Sequence, residues 1–558
     1  MIGLVAVTAA GRRAAASVAE AWPEETRHYP RPVADALRQA WGECDQVVAF
    51  LAVGAAVRLV APLLHDKHTD PGLVCVDEGR RHAVAVLGGH AGGANALTHR
   101  LSAVLGTEPV VTTATDATAV PGLDTLGWPV EGAVAAVTRA VLDGTPVRLA
   151  SDATWPLPAL PANVGEDGEM VLAVTDRELP LDGRTAVLRP PSLVLGVGSS
   201  RGVAAEEVLA LVDAALAEAG LSPASVGVLA TVDLKADEEG ILEAARSRGW
   251  AVEVHPAAVL AEVEVPNPSA VVAAEVGTAS VAEAAALVTA GSGAELLVHK
   301  QKSPMATVAV ARRRPRGRLA VVGLGPGARD LLTPRAAEEL ARASVVVGLD
   351  QYLDQVRDLL RPGATVLASG LGDEEARART AVEQAQLGHA VALIGSGDAG
   401  VYAMASPALD VAGDDIDVVG VPGITAALAA SALLGAPLGH DTAYVSLSDL
   451  HTPWEAIERR LRACADGDFV VVFYNPRSRQ RDWQLGTALE ILLSRRPSTT
   501  PVGVVRNASR SDEAVIVSTL ADLDPADVDM YSLVVVGSSN TRMVAGRMVT
   551  PRGYKWQR

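Results

Sequence analysis

A short apolar run, a glycine-rich turn and an Ala/Leu/Glu stretch of helical period succeed one another along most of this 558-residue chain. Residues 390–394 lead into Gly395-Ser-Gly-Asp398, and residues 319–322 lead into Gly323-Leu-Gly-Pro-Gly327. Residues 193–195 precede Gly196-Val-Gly-Ser-Ser-Arg201, and residues 271–276 before Gly277-Thr-Ala-Ser280 read the same way, as a strand. Strands alternating with helices imply parallel or mixed sheets covered by helices, because a parallel neighbour is reached by a helical crossover. The expected fold class is therefore α/β and multidomain. In open sheets of this kind a ligand lies beyond the carboxyl ends of the strands, where these turns fall. No tandem repeat of fixed period is present.

The length allows about three to five domains. Half of the chain (49%) is hydrophobic and 20% is charged, which excludes wholesale disorder. With 66 acidic against 48 basic residues the net charge is −18, and aromatics make up 3%. Neither a nucleic acid nor an anionic membrane is expected as a partner, since both need concentrated basic surface or stacking platforms. A basic pocket for an anionic small molecule remains compatible with that average. Cys44, Cys75 and Cys464 share no short spacing, so neither a disulfide framework nor a thiolate metal site is expected. The first residues read as a strand rather than a signal peptide, because Arg12 and Arg13 follow the apolar run. Residues 47–64 contain Gly54, Arg58 and Pro62 and read as strand–turn–helix, not a membrane span. A cytoplasmic protein is expected.

Two composition breaks divide the chain. Arg312-Arg313-Arg314-Pro315-Arg316-Gly317-Arg318 reads as a solvated linker, and Leu188-Arg-Pro-Pro-Ser192 marks a second domain start.

Behind the linker, five turn motifs come in a fixed order: Gly323-Leu-Gly-Pro-Gly327, Gly395-Ser-Gly-Asp-Ala-Gly-Val-Tyr402, Val421-Pro-Gly-Ile-Thr-Ala426, Phe473-Tyr-Asn-Pro476 and Val505-Arg-Asn-Ala508. The first is neither G-x-G-x-x-G nor a triphosphate loop. Together the five resemble the tetrapyrrole methyltransferases, which use S-adenosylmethionine (SAM). Leu447-Ser-Asp-Leu-His-Thr-Pro-Trp454 and Asn475-Pro-Arg-Ser-Arg479 are similar to the precorrin-3B C(17)-methyltransferases. The resemblance implies two α/β domains with SAM in the cleft between them, and a homodimer formed through this half. It places Pro326 near the cleft, and Ser396, Gly397, Asp398, Val401, Thr425 and Ala426 along the SAM pocket. Asn475 and Ala508 would face the adenosine. Relatives often have Met at the position of Asn475. Small residues there would let the backbone approach the cofactor, and the Asp398 carboxylate would complement its positive groups.

A corrinoid precursor carries many acetate and propionate groups and needs cations around it. Residues 471–510 contain Arg477, Arg479, Arg481, Arg495, Arg496, Arg506 and Arg510 against only Asp482 and Glu490. Arg477 and Arg479, on a Pro-containing loop after a strand, are the expected substrate contacts. Ring contraction moves protons, for which His440, Asp441, Asp449 and His451 are candidates.

The N-terminal half contains Gly88-Gly-His-Ala-Gly-Gly-Ala-Asn95, where glycine-flanked His90 and Asn95 are candidate ligand contacts. His65, His68, His82 and His90 match no standard zinc spacing, so no metal is expected. With Ala230-Thr-Val-Asp-Leu-Lys-Ala-Asp-Glu238, Val276-Gly-Thr-Ala-Ser-Val-Ala-Glu283 and Val298-His-Lys-Gln-Lys302, this half resembles the cobalt-precorrin-5A hydrolases. Ser199-Ser200-Arg201 departs from the Cys-Arg or Arg-Arg of many relatives. The resemblance implies opening of a macrocycle lactone with release of acetaldehyde. Asp77, His90, Asp233 and Asp237 are candidate bases, and Lys235, Lys300 and Lys302 candidate clamps for substrate carboxylates.

The expected layout is 1–190 for the hydrolase N-terminal and middle regions, 191–311 for its C-terminal domain, 312–318 for the linker, and 319–558 for the methyltransferase. Two alternatives stand beside a bifunctional enzyme of cobalamin synthesis: an N-terminal half that only binds corrinoid, and an NAD-dependent oxidoreductase.

Overall fold

The computed structural model describes residues 1–553 apart from 31, 67–68, 90–91, 113–121, 124–125 and 479–480, and leaves the side chains of 271 and 275 undescribed. The chain forms two compact units: Met1–Ala153 with Leu160–Pro315, and Thr154–Ala159 with the chain from Arg316 on.

The first unit holds three sheets. In spatial order the first runs Thr26–His28, Ile2–Ala6, Gln46–Phe50, Gly72–Val76, His82–Leu87 and Glu108–Val110. The second runs Val130–Gly132, Thr185–Leu188, Met170–Val174, Val147–Ser151 and Val164–Gly165. The third, Ala251–His255, Val226–Val232, Leu193–Ser199, Ala306–Arg312 and Glu295–Lys302, is parallel in its first three strands and antiparallel in the rest.

The second unit holds a fully parallel sheet, in spatial order Thr365–Ser369, Val345–Leu349, Ala390–Gly395, Arg318–Gly323 and Asp417–Val421. Alternate residues serve opposite faces, as the pleat requires. Leu319, Val321, Val345 and Val347 pack into one core, and Ala320, Val322 and Val346 into the other. A mixed sheet follows: Thr442–Ser446, Val470–Tyr474, Ser532–Val536, Pro501–Arg506 and Ala514–Thr519. A small sheet of Gly435–Ala436, Arg547–Val549 and Arg542–Val544 completes the unit. The architecture is multidomain α/β, and no described helix is long and apolar enough to cross a membrane.

One segment departs from the sequence reading. Ala270–Val276 is a helix, not a strand: Ser269 accepts the Val272 N–H, and Gly277 ends it at φ 84°. The arginine run is also shorter as a connector than its composition implies. Arg312 ends a strand and meets Asp176 at 2.7 Å, while Arg318 begins the next and meets Glu339 at 2.6 Å.

Candidate active site

Three turns at the carboxyl ends of the parallel strands are locked together by their backbones. Gly325 and Gly397 exchange N–H to carbonyl hydrogen bonds of 3.0 and 2.7 Å. A Cβ on Gly423 would stand 2.1 Å from the Gly397 carbonyl oxygen, and one on Gly323 would stand 2.7 Å from it. These two glycines are therefore demanded by loop-on-loop packing rather than by approach to a cofactor. Asp398 fastens the same turns. Its Oδ1 accepts the Gly400 N–H at 2.8 Å and its Oδ2 accepts the Gly423 N–H at 3.0 Å. Both oxygens serve the loop backbone, so this carboxylate holds the turns together as well as standing at the cavity.

The mixed sheet contributes the opposite wall. Arg510 donates from Nε to the Pro326 carbonyl at 3.0 Å and from Nη2 to Ser396 Oγ at 3.3 Å. The Tyr474 hydroxyl bonds Thr425 Oγ1 and accepts the Ala427 N–H at 3.2 Å, at the start of helix Ala426–Leu434. The Tyr474 ring lies 5.3 Å from Tyr402 and 5.8 Å from Tyr444. Burial pushes all three phenols up, so they stay neutral at neutral pH.

These elements enclose a cavity of about 360 Å³. All nine residues carried over from the methyltransferase motifs, from Pro326 to Ala508, line it. Tyr402 and Asn507 line it too, and with Asn475 they have positive φ, of 52°, 47° and 48° respectively. Left-handed backbone at non-glycine residues is uncommon and collects at functional sites, where surrounding contacts hold it in place. Sequence reasoning missed Tyr402, Tyr474 and Asn507 as individual residues although its motifs spanned them. It also missed Arg377 and Met404.

The proton-handling candidates do not gather there. His440 and Asp441 stand 3.2 Å apart, exposed, just before strand Thr442–Ser446 and so at the opposite end from the cavity. That placement removes both from the candidates. Asp449 and His451 follow the carboxyl end of the same strand but do not line the cavity. Asp449 accepts Gln484 Nε2 at 2.9 Å, and His451 is exposed. Arg477 donates to the Pro525 carbonyl at 3.0 Å and is likewise outside the lining. Arg479 lies outside the described residues.

Residues 318–524 match the family described as Tetrapyrrole (Corrin/Porphyrin) Methylases. The "Probable cobalt-factor III C(17)-methyltransferase" of Salmonella typhimurium is 46% identical over 239 residues, 42% of this chain and 99% of that protein. The chain belongs to the tetrapyrrole methylase family. The Precorrin-3B C(17)-methyltransferase of Sinorhizobium sp is 41% identical over 249 residues, 43% of this chain and 97% of that protein. A crystal structure of the methyltransferase CobJ, 40% identical, covers 42% of this chain and 100% of its own, with a TM-score of 0.41. Residues 35–116 match the Cobalamin synthesis G N-terminal family and 193–311 the Cobalamin synthesis G C-terminus. The chain thus joins hydrolase-type domains of cobalamin synthesis to a methylase.

Tetrapyrrole methylases use SAM, and the cavity fits it. Its volume falls in the range of roughly 300–1,000 Å³ typical of small-molecule sites. Small residues and neutral phenols give it apolar surface, and the Asn475 and Asn507 amides are held in its wall by hydrogen bonds to Ser446 Oγ at 3.1 Å and Asp512 Oδ2 at 2.7 Å.

In the first unit the candidate residues are separated. Asp77 belongs to the six-stranded sheet's turn, where burial works against its charge but the N–H groups of His82, Arg81 and Gly79 outweigh it. They hold the carboxyl below its usual range, which suits a turn anchor and not a base. Asn95 is buried in helix Ala94–Leu105 and its N–H reaches the Gly89 carbonyl. His90 and His68 lie outside the described residues. His65 bonds its neighbour's carbonyl, and His82 stands 3.9 Å from Asp77.

A second group lies after the carboxyl ends of strands Leu193–Ser199 and Val226–Val232. Arg201 bonds Asp237 at 2.6 Å, and that guanidinium holds the Asp237 carboxyl low. Lys235 meets buried Glu238 at 3.1 Å, while Asp233 accepts the N–H of its neighbour Leu234. Lys300 donates to the Asn267 carbonyl, and Lys302 is exposed at the end of its strand.

Proposed function

We propose that this chain methylates carbon 17 of a precorrin-3B-type macrocycle, with ring contraction, and that its N-terminal half opens the cobalt-precorrin-5A lactone and releases acetaldehyde. It would do so in the cytoplasm. The observation that carries the methyltransferase reading is the convergence of all nine motif residues on one cavity. Near-full-length identity to C(17)-methyltransferases supports the position of methylation. Pro326, Ser396, Gly397, Val401, Thr425, Ala426, Asn475 and Ala508 would hold SAM, which supplies an electrophilic methyl group when bound. Asp398, Arg510 and Tyr474 fix the turns around that space, so the reacting groups meet an already ordered wall. We place the hydrolase in residues 1–311 and the methyltransferase in 319–558.

Calorimetric titration of the full chain with S-adenosylhomocysteine tests the site. One equivalent should bind, and Ala426→Trp, which fills the cavity, should abolish it. Wild-type affinity in that variant would overturn the assignment.

A non-catalytic, corrinoid-binding N-terminal half is the second reading, favoured by the engagement of two candidate bases, Asp77 by three turn N–H groups and Asp237 by Arg201. Acetaldehyde released by the full chain from the cobalt-containing lactone would exclude it.

We also infer a homodimer through the methyltransferase half. Among the described residues edge strand Ala514–Thr519 pairs on one side only, and it exposes Val515, Ile516 and Val517. Light scattering should give twice the chain mass, and Ile516→Lys the single mass; a monomeric wild type would sink the idea.

A further inference from the structure

Three described arginines are more than nine-tenths buried: Arg189, Arg377 and Arg496, at 0%, 6% and 5% exposure. Two of them have a counter-charge. Arg189 bonds Glu131, and Arg496 Nε stands 3.7 Å from Asp468. Among the described residues Arg377 has no carboxylate within the 4.0 Å that defines an ion pair. Its Nε donates to Ser369 Oγ and its Nη2 to the Gly370 carbonyl, both at 2.7 Å. Among the described residues its Nη1 meets only Met404 Sδ, at 3.5 Å. A thioether is a weak acceptor, so Nη1 is poorly satisfied for a buried cation.

The position of this guanidinium is also unusual. It projects from helix Glu374–Gln386, just beyond the carboxyl end of strand Thr365–Ser369, and both Arg377 and Met404 line the 360 Å³ cavity. A buried charge without a partner is costly, and two neutral oxygens do not cancel it. A planar guanidinium facing a cavity is suited to a carboxylate.

We propose that Arg377 receives a carboxylate of the ligand bound in this cavity. The inference rests on the methyltransferase reading above, which supplies two sources of that group. One is the amino-acid carboxylate of the methyl donor, and the other is an acetate or propionate arm of the macrocycle.

Calorimetry on the full chain, comparing wild type with Arg377→Gln and Arg377→Lys, separates them. The probes are S-adenosylhomocysteine, 5′-methylthioadenosine, which lacks the amino-acid part, and uroporphyrin, a stable tetrapyrrole with acetate and propionate arms. If the donor's carboxylate is bound, Arg377→Gln weakens S-adenosylhomocysteine by at least roughly tenfold, the loss expected of a charge-assisted hydrogen bond. Methylthioadenosine then binds unchanged. If a macrocycle arm is bound, only uroporphyrin weakens. Arg377→Lys keeps the charge without the fork and loses less in either arm. A folded Arg377→Gln that binds both carboxylated probes like wild type overturns the proposal. Should that variant fail to give the wild-type circular dichroism spectrum, Arg377→Lys decides alone, with wild-type affinity for both probes again the overturning result. A wild type that binds no S-adenosylhomocysteine defeats the methyltransferase reading and this inference together, a pattern distinct from loss of the arginine effect alone.

Discussion

The cavity of the second unit and the Leu193–Arg312 sheet of the first both carry charged side chains near strand ends, but they use that charge differently. In the first unit Arg201 bonds Asp237, Lys235 bonds Glu238, and Lys300 bonds the Asn267 carbonyl. In the second, Gly325 and Gly397 exchange backbone hydrogen bonds, the Asp398 carboxylate takes the Gly423 N–H, and among the described residues Arg377 and Arg510 reach only neutral atoms beside a cavity. Charge counted in a sequence is therefore not charge offered to a ligand. A site forms where the turns are already fixed and a charged side chain beside them still lacks a counter-charge.

The strongest way to break this comparison is to disturb the loop lock. Gly423→Ala places a Cβ 2.1 Å from a carbonyl oxygen, and no side-chain rotamer relieves a backbone clash. Displacing the turn should lower S-adenosylhomocysteine affinity and methyl transfer by about a hundredfold. Gly420→Ala, on the strand leading to that turn, meets nothing within 4 Å and should leave both unchanged. Equal behaviour of the two variants would show that the lock is not what shapes the cavity.

The next effect belongs to the first unit. Glu283 is fully buried, and its carboxylate accepts the Asn267 N–H, the Asn267 amide and the Lys300 N–H. Burial alone would raise its pKa, but these donors win and lower it. A depressed carboxyl stabilises the fold above its unfolded pKa, and that contribution is lost as pH falls through the folded value. Glu283→Ala should cost about 2–3 kcal/mol at neutral pH by stranding three donors. Its unfolding midpoint should also fall less steeply on acidification than the wild type's, and parallel acid profiles would contradict the sign.

What the sequence made legible was backbone geometry. Glycine turns at strand ends mark positions where only glycine fits, so the motifs mapped onto the cavity residue by residue. Spatial grouping of side chains was harder to read. His440 and His451 are near in sequence, yet a five-residue strand between them spans about 16 Å and separates their ends. Residues 271–276 show the limit of short apolar runs, which periodicity cannot assign to strand or helix; Ser269 and Gly277 as caps decided it. Arg377 stands among Glu374, Glu375 and Arg379, and composition alone does not set it apart from them. It nevertheless falls on the buried stripe with Ala378, Ala381, Val382 and Ala385, a helical spacing that gives it away.

Two smaller effects sharpen the contrast between the units. Tyr474→Phe keeps the ring but removes the acceptor for the Ala427 N–H, and should weaken S-adenosylhomocysteine by about fivefold, near 1 kcal/mol. An unchanged affinity would make that hydroxyl a passenger of the aromatic cluster. Asp237→Asn should do least. The pair with Arg201 is exposed, so the unfolding midpoint should not move measurably. Asp237 does compete with any carboxylate that Arg201 would bind, so its neutralisation should tighten uroporphyrin by about twofold, fading as salt screens the charges. Loss of acetaldehyde release with binding intact would be the contrary result. It would make Asp237 a participant in lactone opening rather than a partner that masks a cation, and the first unit's charges would then be poised for chemistry after all.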